Sequence, residues 1–306
     1  VSYLQGFGWA DVHARKPMDP SSTLMRVGSI SKLFVATAVA REVEAGRLDL
    51  AAPVNRYLSG FALPNVDGHE ITVEHLLTHT AGFDEDIVSL VADPEGAEGA
   101  RGAAGGSARS ESLRDFLSSN MPALVRRPGQ VIQYSNYGMA LAAHVVESVS
   151  GQDFRSYVSE HILRPLKMTS STFAEPGGAV GDLDPTVALA SSYHWTGRAN
   201  AATPYLRVRP YPAGSLLATA ADTCKFMLAM LPSGGGGGVV SPVSVEAMQS
   251  KRFANLPQLP GIGLAWFVGS RNGAVTLSHG GEIWNFSSQL LLLPEHATFE
   301  TGGADL

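Results

Sequence analysis

Three short patterns in this chain could together carry out acyl transfer. Ser29-Ile30-Ser31-Lys32 fits S-x-x-K. On a helix that spacing sets a nucleophilic hydroxyl at the N-terminus and an amine three residues on, over the same face. The positive end of the helix dipole and its free N–H groups favour negative charge near Ser29. The same field disfavours the ammonium form of Lys32, so Lys32 can serve as a base. Tyr134-Ser135-Asn136 gives Y-x-N, a phenol able to relay a proton and a carboxamide that both donates and accepts. His279-Gly280-Gly281 stands at the end of a predicted strand, where glycines let a substrate lie along the strand edge. There the N–H of Glu282 can join that of Ser29 as an oxyanion hole. Each pattern alone is common, but each occurs once here, in a fitting local context and in the order S-x-x-K, Y-x-N, H-x-G.

The elements that must position these groups are readable in outline. Residues 30–44 are Ala/Val-rich with apolar side chains on more than one face, and Gly46 follows as a C-cap, which predicts a buried helix. Thr72 is an N-cap for a helix over 73–78, and a second helix runs over 137–149 to Ser150-Gly151. Residues 3–10 read as a strand, and 263–268, 274–278 and 287–293 as successive antiparallel strands bounded by Gly, Asn and Pro. The Gly/Ala-rich tract within 92–110 reads as a mobile insertion, and Gly234 to Gly238 as a second flexible run.

Length and composition bound the class. At 306 residues, 44% hydrophobic and 16% charged, the chain is long enough for one catalytic unit of two packed lobes and has the composition of a globular protein. No apolar run reaches the roughly eighteen residues of a membrane span. The net charge of −6, with basic residues scattered, offers no stripe for a nucleic-acid backbone. Cys224 is the only cysteine, which rules out an intramolecular disulfide and a cysteine-based metal site, and it reads as a small core residue. His75 and His79 are spaced i, i+4, but no third ligand is suggested, so neither a metal nor a cofactor is expected. Tyr193 and Trp195 are candidates for the acyl pocket or for ordinary core. Residues 1–11 show no basic region followed by an apolar core, and the compartment is not readable.

With these motifs the sequence resembles the superfamily of class C β-lactamases, D-alanyl-D-alanine peptidases and family VIII carboxylesterases. Arg26-Val27-Gly28, Leu76 to Gly82, Pro212 to Leu216, Thr219 to Asp222 and Pro294-Glu295-His296 support the resemblance, which covers nearly the whole chain. It implies an α+β fold, an antiparallel sheet flanked by helices plus a mostly helical lobe. The sheet lobe is expected from 1–25 and 205–306, and the helical lobe from 26–204. The resemblance also implies that Ser29 is acylated at their junction, that Lys32 and Tyr134 share acid/base work, and that Asn136 orients the substrate. True β-lactamases often carry Lys where this chain has His279, and Asn285 replaces a glycine that commonly follows the motif.

The expected activity is a serine hydrolase acting through acyl-Ser29, foremost a carboxylesterase on short acyl esters. A D-amino-acid peptidase or weak β-lactamase shares every catalytic residue, and a penicillin-binding or scaffold protein without turnover is the reading from another class. Substrates would be small esters, amides or β-lactams. Histidine titrates near about 6.5, so carboxylate-bearing substrates are expected to improve relative to neutral esters as pH falls toward about 6. The family usually has further structure covering the sheet at both ends, so an open strand edge, and with it a homo-oligomer, is also expected.

Overall fold

The computed structural model describes residues 3–85, 111–174, 186–296 and 298–304. The insertion expected at 92–110 lies outside the described residues. The fold is α+β, as the sequence predicts. A five-stranded antiparallel sheet runs in the order β11 (Gly261–Ile262), β12 (Phe267–Arg271), β13 (Ala274–Ile283), β14 (Phe286–Leu293) and β15 (Thr298–Ala304). A four-stranded sheet in the order β6 (Ser171–Thr172), β10 (Leu217–Ala218), β3 (Thr23–Arg26), β7 (Ala188–Leu189) contains one parallel pair, β3 with β7. Two-stranded ribbons join β1 (Trp9–Asp11) to β2 (Lys16–Pro17), β4 (Phe83–Asp84) to β5 (Ala123–Leu124), and β8 (Tyr193–Trp195) to β9 (Asn200–Ala202).

The α-helices among the described residues are α1 (Ser31–Glu44), α2 (Val73–Leu77), α3 (Leu113–Ser119), α4 (Asn136–Ser150), α5 (Phe154–Val158), α6 (Ala220–Ala229) and α7 (Pro242–Gln249). Helix α1 is buried on nearly every side, because Leu33, Phe34, Val35, Ala36, Ala38 and Val39 leave it no polar face over those turns. It packs against α4, α5 and α7. One continuous apolar cluster joins α1 and α4 to Trp266, Leu277, Leu290 and Leu292, so helices and sheet share a core. Cys224 is buried within α6, as expected of a small core residue.

Four expectations from the sequence need correction. The opening strand is confined to Trp9–Asp11, with Gly6 in the irregular stretch before it. Gly6 sits so close to the chain at Met18 that an added Cβ would lie 2.1 Å from Met18 O. The strand read at 263–268 begins only at Phe267, because the N–H groups of Leu264 and Ala265 bond to Met248 and Leu77 of the helical layer and Ala265 adopts φ +63°. The run Gly234–Gly238 is a packed turn. An added Cβ at Gly234 would lie 1.8 Å from Leu228 O, and one at Gly237 would lie 2.8 Å from the Ala229 side chain. Its glycines serve close approach to the end of α6, not flexibility. Finally, β13 continues through His279-Gly280-Gly281 to Ile283, because β14 pairs with it over that whole stretch.

Candidate active site

Ser29 lies in a 3₁₀ turn, Gly28–Ile30, that feeds directly into α1. The turn is locked by Ser31, whose Oγ donates to Gly28 O at 2.6 Å and accepts from the N–H of Leu216 at 3.0 Å. Gly28 has φ +53°, and a Cβ there would lie 2.8 Å from the nitrogen of Glu282. A Cβ on Gly281 would lie 2.0 Å from Val27 O and 2.5 Å from Ser288 Oγ. The two glycines therefore face each other and let the Ser29 turn rest directly on β13. Ser288 Oγ closes the contact by donating to Val27 O at 2.9 Å.

The hairpin geometry decides which backbone groups of β13 face this turn. Trp284 and Asn285, with φ +32° and +62°, form the two-residue turn between β13 and β14, and asparagine tolerates that left-handed region well. The closing pair Ile283↔Phe286 is a hydrogen-bonded pair, so in an antiparallel ladder the N–H groups of Glu282 and Gly280 point away from β14. On that side β12 has already ended, with its last pair at Phe267↔Ser278. The edge at 280–282 is thus open beside Ser29, where an oxyanion or an extended substrate can take it.

This contact yields a test of packing. Gly281→Ala should cost at least about 2 kcal/mol and most of the activity, because the strand must retreat from Val27. At Gly280 the nearest atom to an added Cβ is the end of the flexible Gln289 side chain, at 3.3 Å. Gly280→Ala should therefore stay within about 0.5 kcal/mol in a denaturant titration. Equal effects would contradict the facing-glycine contact.

Lys32 is buried and makes three contacts: Nζ lies 2.9 Å from Ser29 Oγ, 2.6 Å from Asn136 Oδ1 and 2.7 Å from Ala213 O. Burial pushes its pKa down to about 7, partly offset by the negative charge of Glu85. Two of the three partners are oxygens that only accept, so two N–H bonds are committed to them. The third position, toward Ser29, is where an ammonium proton or a free lone pair must sit.

Tyr134 stands beside the Ser29 side chain, and burial raises its pKa well above the usual phenol value. Its ring centre lies 4.8 Å from Lys32 Nζ and 4.3 Å from the His79 ring. His79 is buried, with φ +54°, and its Nδ1 accepts from the N–H of Ser135 at 3.2 Å. Burial, with Lys32 and His279 nearby, holds His79 neutral. It is a support for Tyr134. His75 instead caps α2 with Thr72, and no group of three metal-binding side chains occurs among the described residues.

His279 is buried on β13, donates from Nδ1 to Gly280 O at 2.6 Å, and packs against Phe267 and Tyr134. Burial and the nearby Lys32 push its pKa down to about 3. It does not become cationic near pH 6, which corrects the expected pH response. Ser29, Tyr134, Asn136, Phe267 and His279 line a cleft of ≈ 870 Å³ together with Glu85, Glu282 and Trp284. The Trp284 wall is held from behind by the Arg26 guanidinium, which lies 4.9 Å from its ring and 4.1 Å from that of Tyr205. Tyr193 and Trp195 are not in the lining. The Tyr193 hydroxyl ties Asp11 at 2.9 Å, and Trp195 is 65% exposed.

All eight residues singled out from the motifs lie in or immediately around one cleft. Three others escaped the sequence: Glu85 and the Ala213 carbonyl because tertiary folding brings them in, and Ser31 because the x positions of S-x-x-K carry no pattern. The fold and the cleft define a protein of the β-lactamase type, and the chain belongs to the beta-lactamase family, whose profile matches residues 1–302. Among curated relatives it is 30% identical over 251 residues to the Bacillus subtilis protein named "Putative penicillin-binding protein PbpX", covering 80% of this chain and 54% of that protein. It is 36% identical over 185 residues to esterase EstB of Burkholderia gladioli, covering 58% and 45%. The chain thus spans about half the length of these two proteins. The octameric penicillin-binding protein homologue from Pyrococcus abyssi superposes with a TM-score of 0.81 at 25% identity, over 99% of this chain and 66% of that one. Among the described residues no helix is long and apolar enough to cross a membrane.

Proposed function

We propose that the chain hydrolyses small acyl compounds through an acyl-Ser29 intermediate and that short, uncharged esters are its best substrates. The observation that carries this is the contact set of Lys32. With Asn136 Oδ1 and Ala213 O holding two N–H bonds, neutral Lys32 directs its lone pair at Ser29 Oγ. Lys32 takes the Ser29 proton as Oγ attacks the acyl carbon, and the N–H groups of Ser29 and Glu282 receive the oxyanion. The proton then passes to the leaving group, with the Tyr134 hydroxyl as donor, because its raised pKa keeps it protonated. Water reverses the sequence and releases the acid.

The charge of the cleft supports neutral substrates. Among the described residues its lining contains Glu85 and Glu282 but no arginine or lysine, and His279 is uncharged. A substrate carboxylate meets no cationic side chain in that described lining. EstB, an esterase by name, is in keeping with this preference. A penicillin-binding role without turnover would give a burst of p-nitrophenol with no steady state, so a panel of p-nitrophenyl acyl esters, nitrocefin and D-alanyl peptides separates the readings.

Two pH effects follow. Only neutral Lys32 is a base, so kcat/KM on a neutral ester should rise with pH, half-maximal near the Lys32 value of about 7. Because His279 stays neutral, the ratio of neutral ester to carboxylate-bearing β-lactam should be flat between about pH 8 and 6. A relative gain for the β-lactam of about tenfold at the lower pH would mean that His279 titrates against the substrate. We extend the proposal to a homo-oligomer, from the similarity to the octameric P. abyssi homologue. Light scattering showing a strict monomer would contradict that part.

A further inference from the structure

Glu85 belongs to none of the three motifs, yet its carboxylate meets three donors from one short stretch of chain. Oε2 accepts from Ser135 Oγ at 2.7 Å and from the N–H of Tyr137 at 2.9 Å, while Oε1 accepts from Asn136 Nδ2 at 2.9 Å. Ser135 is also the N-cap of α4, accepting from the N–H of Gly138 at 2.8 Å. The carboxylate therefore sits at the positive end of a 15-residue helix, where negative charge is favoured.

The consequence for Lys32 runs through Asn136. A carboxylate only accepts, so the Asn136 amide must turn its NH₂ toward Glu85 and its oxygen toward Lys32, 2.6 Å from Nζ. Without Glu85 the carboxamide could rotate, and an NH₂ facing Lys32 would oppose the ammonium. We propose that Glu85 is a positioning residue of the reaction: it holds the Asn136 oxygen on Lys32 and places a negative charge one carboxamide away from the buried amine. This rests on Lys32 acting as the base.

Among the described residues the other groups facing Lys32 carry no anion. They are Ser29 Oγ, Ala213 O, the protonated Tyr134 phenol and the neutral imidazoles of His79 and His279. Glu85 is the group whose charge counters burial of the ammonium. Removing that charge disfavours the protonated amine further, so the pH at which Lys32 becomes neutral must fall.

The test is Glu85→Gln, read in two ways. The ¹³Cε resonance of Lys32, assigned by its loss in Lys32→Met, gives the titration without any turnover, and kcat/KM against pH on p-nitrophenyl acetate gives it through catalysis. Both midpoints should drop by about one unit or more, with kcat lowered at least about tenfold. If both midpoints stay within about 0.2 unit of the unmodified chain, Glu85 does not act on Lys32 and the proposal is overturned. If the resonance shifts while no chain turns over ester, Glu85 acts as proposed and the hydrolase reading is what fails. Should Glu85→Gln not fold, Glu85→Asp serves: it keeps the charge but draws it back from Asn136. Its kcat should fall with KM unchanged and the midpoint held, and a kcat equal to the unmodified chain would overturn the proposal.

Discussion

Ser29→Ala should leave the fold intact and lower kcat by about 10⁴ to 10⁶, the scale on which a covalent nucleophile is lost. The fold survives because Lys32 keeps its bonds to Asn136 Oδ1 and Ala213 O, while the turn is held by Ser31 and not by Ser29. The activity does not, because the lone pair of Lys32 then faces a methyl group and no oxygen is left to acylate. Steady-state hydrolysis of p-nitrophenyl acetate, with circular dichroism as the fold control, decides the matter. A variant retaining more than about a tenth of the turnover would remove Ser29 from the mechanism.

Tyr134→Phe carries the second largest effect, about 10² to 10⁴, because the ring stays between His79 and Lys32 while the hydroxyl beside Ser29 disappears. The size should depend on the leaving group. An alkoxide must be protonated as it departs, whereas p-nitrophenolate is stable without a proton. The loss should therefore be about tenfold or more greater for an alkyl ester than for its p-nitrophenyl counterpart. A uniform loss below roughly threefold on both would leave Tyr134 as a packing residue.

How much of this was legible in the sequence depends on how local each feature is. Ser29 with Lys32, and Tyr134 with Asn136, were readable because one helix turn and one helix start fix their spacing, and α1 and α4 form within one residue of their expected starts. His279 is readable in the sequence as a candidate site residue that is mostly neutral above pH 7, but not as one that stays neutral toward pH 6, since its charge depends on burial beside Lys32, Phe267 and Tyr134. In the sequence the glycines of its motif read as openings for substrate. Gly281 is instead required by Val27, a contact some 250 residues away in sequence that no local pattern encodes. Glu85 was missed for the same reason, and β15 because Gly302 and Gly303 dilute its strand character. The glycine run at 234–238 shows the converse error: composition suggests freedom where packing demands small size.

The central claim is that a covalent acyl group forms on Ser29 and leaves again. Quenching the reaction with p-nitrophenyl acetate in acid during the steady state, then mapping peptides by mass spectrometry, tests it directly. One acyl group should appear on the peptide containing Ser29, decay once substrate is exhausted, and be absent from Ser29→Ala. An adduct on another residue, or turnover with Ser29 unmodified at every time point, would contradict the account.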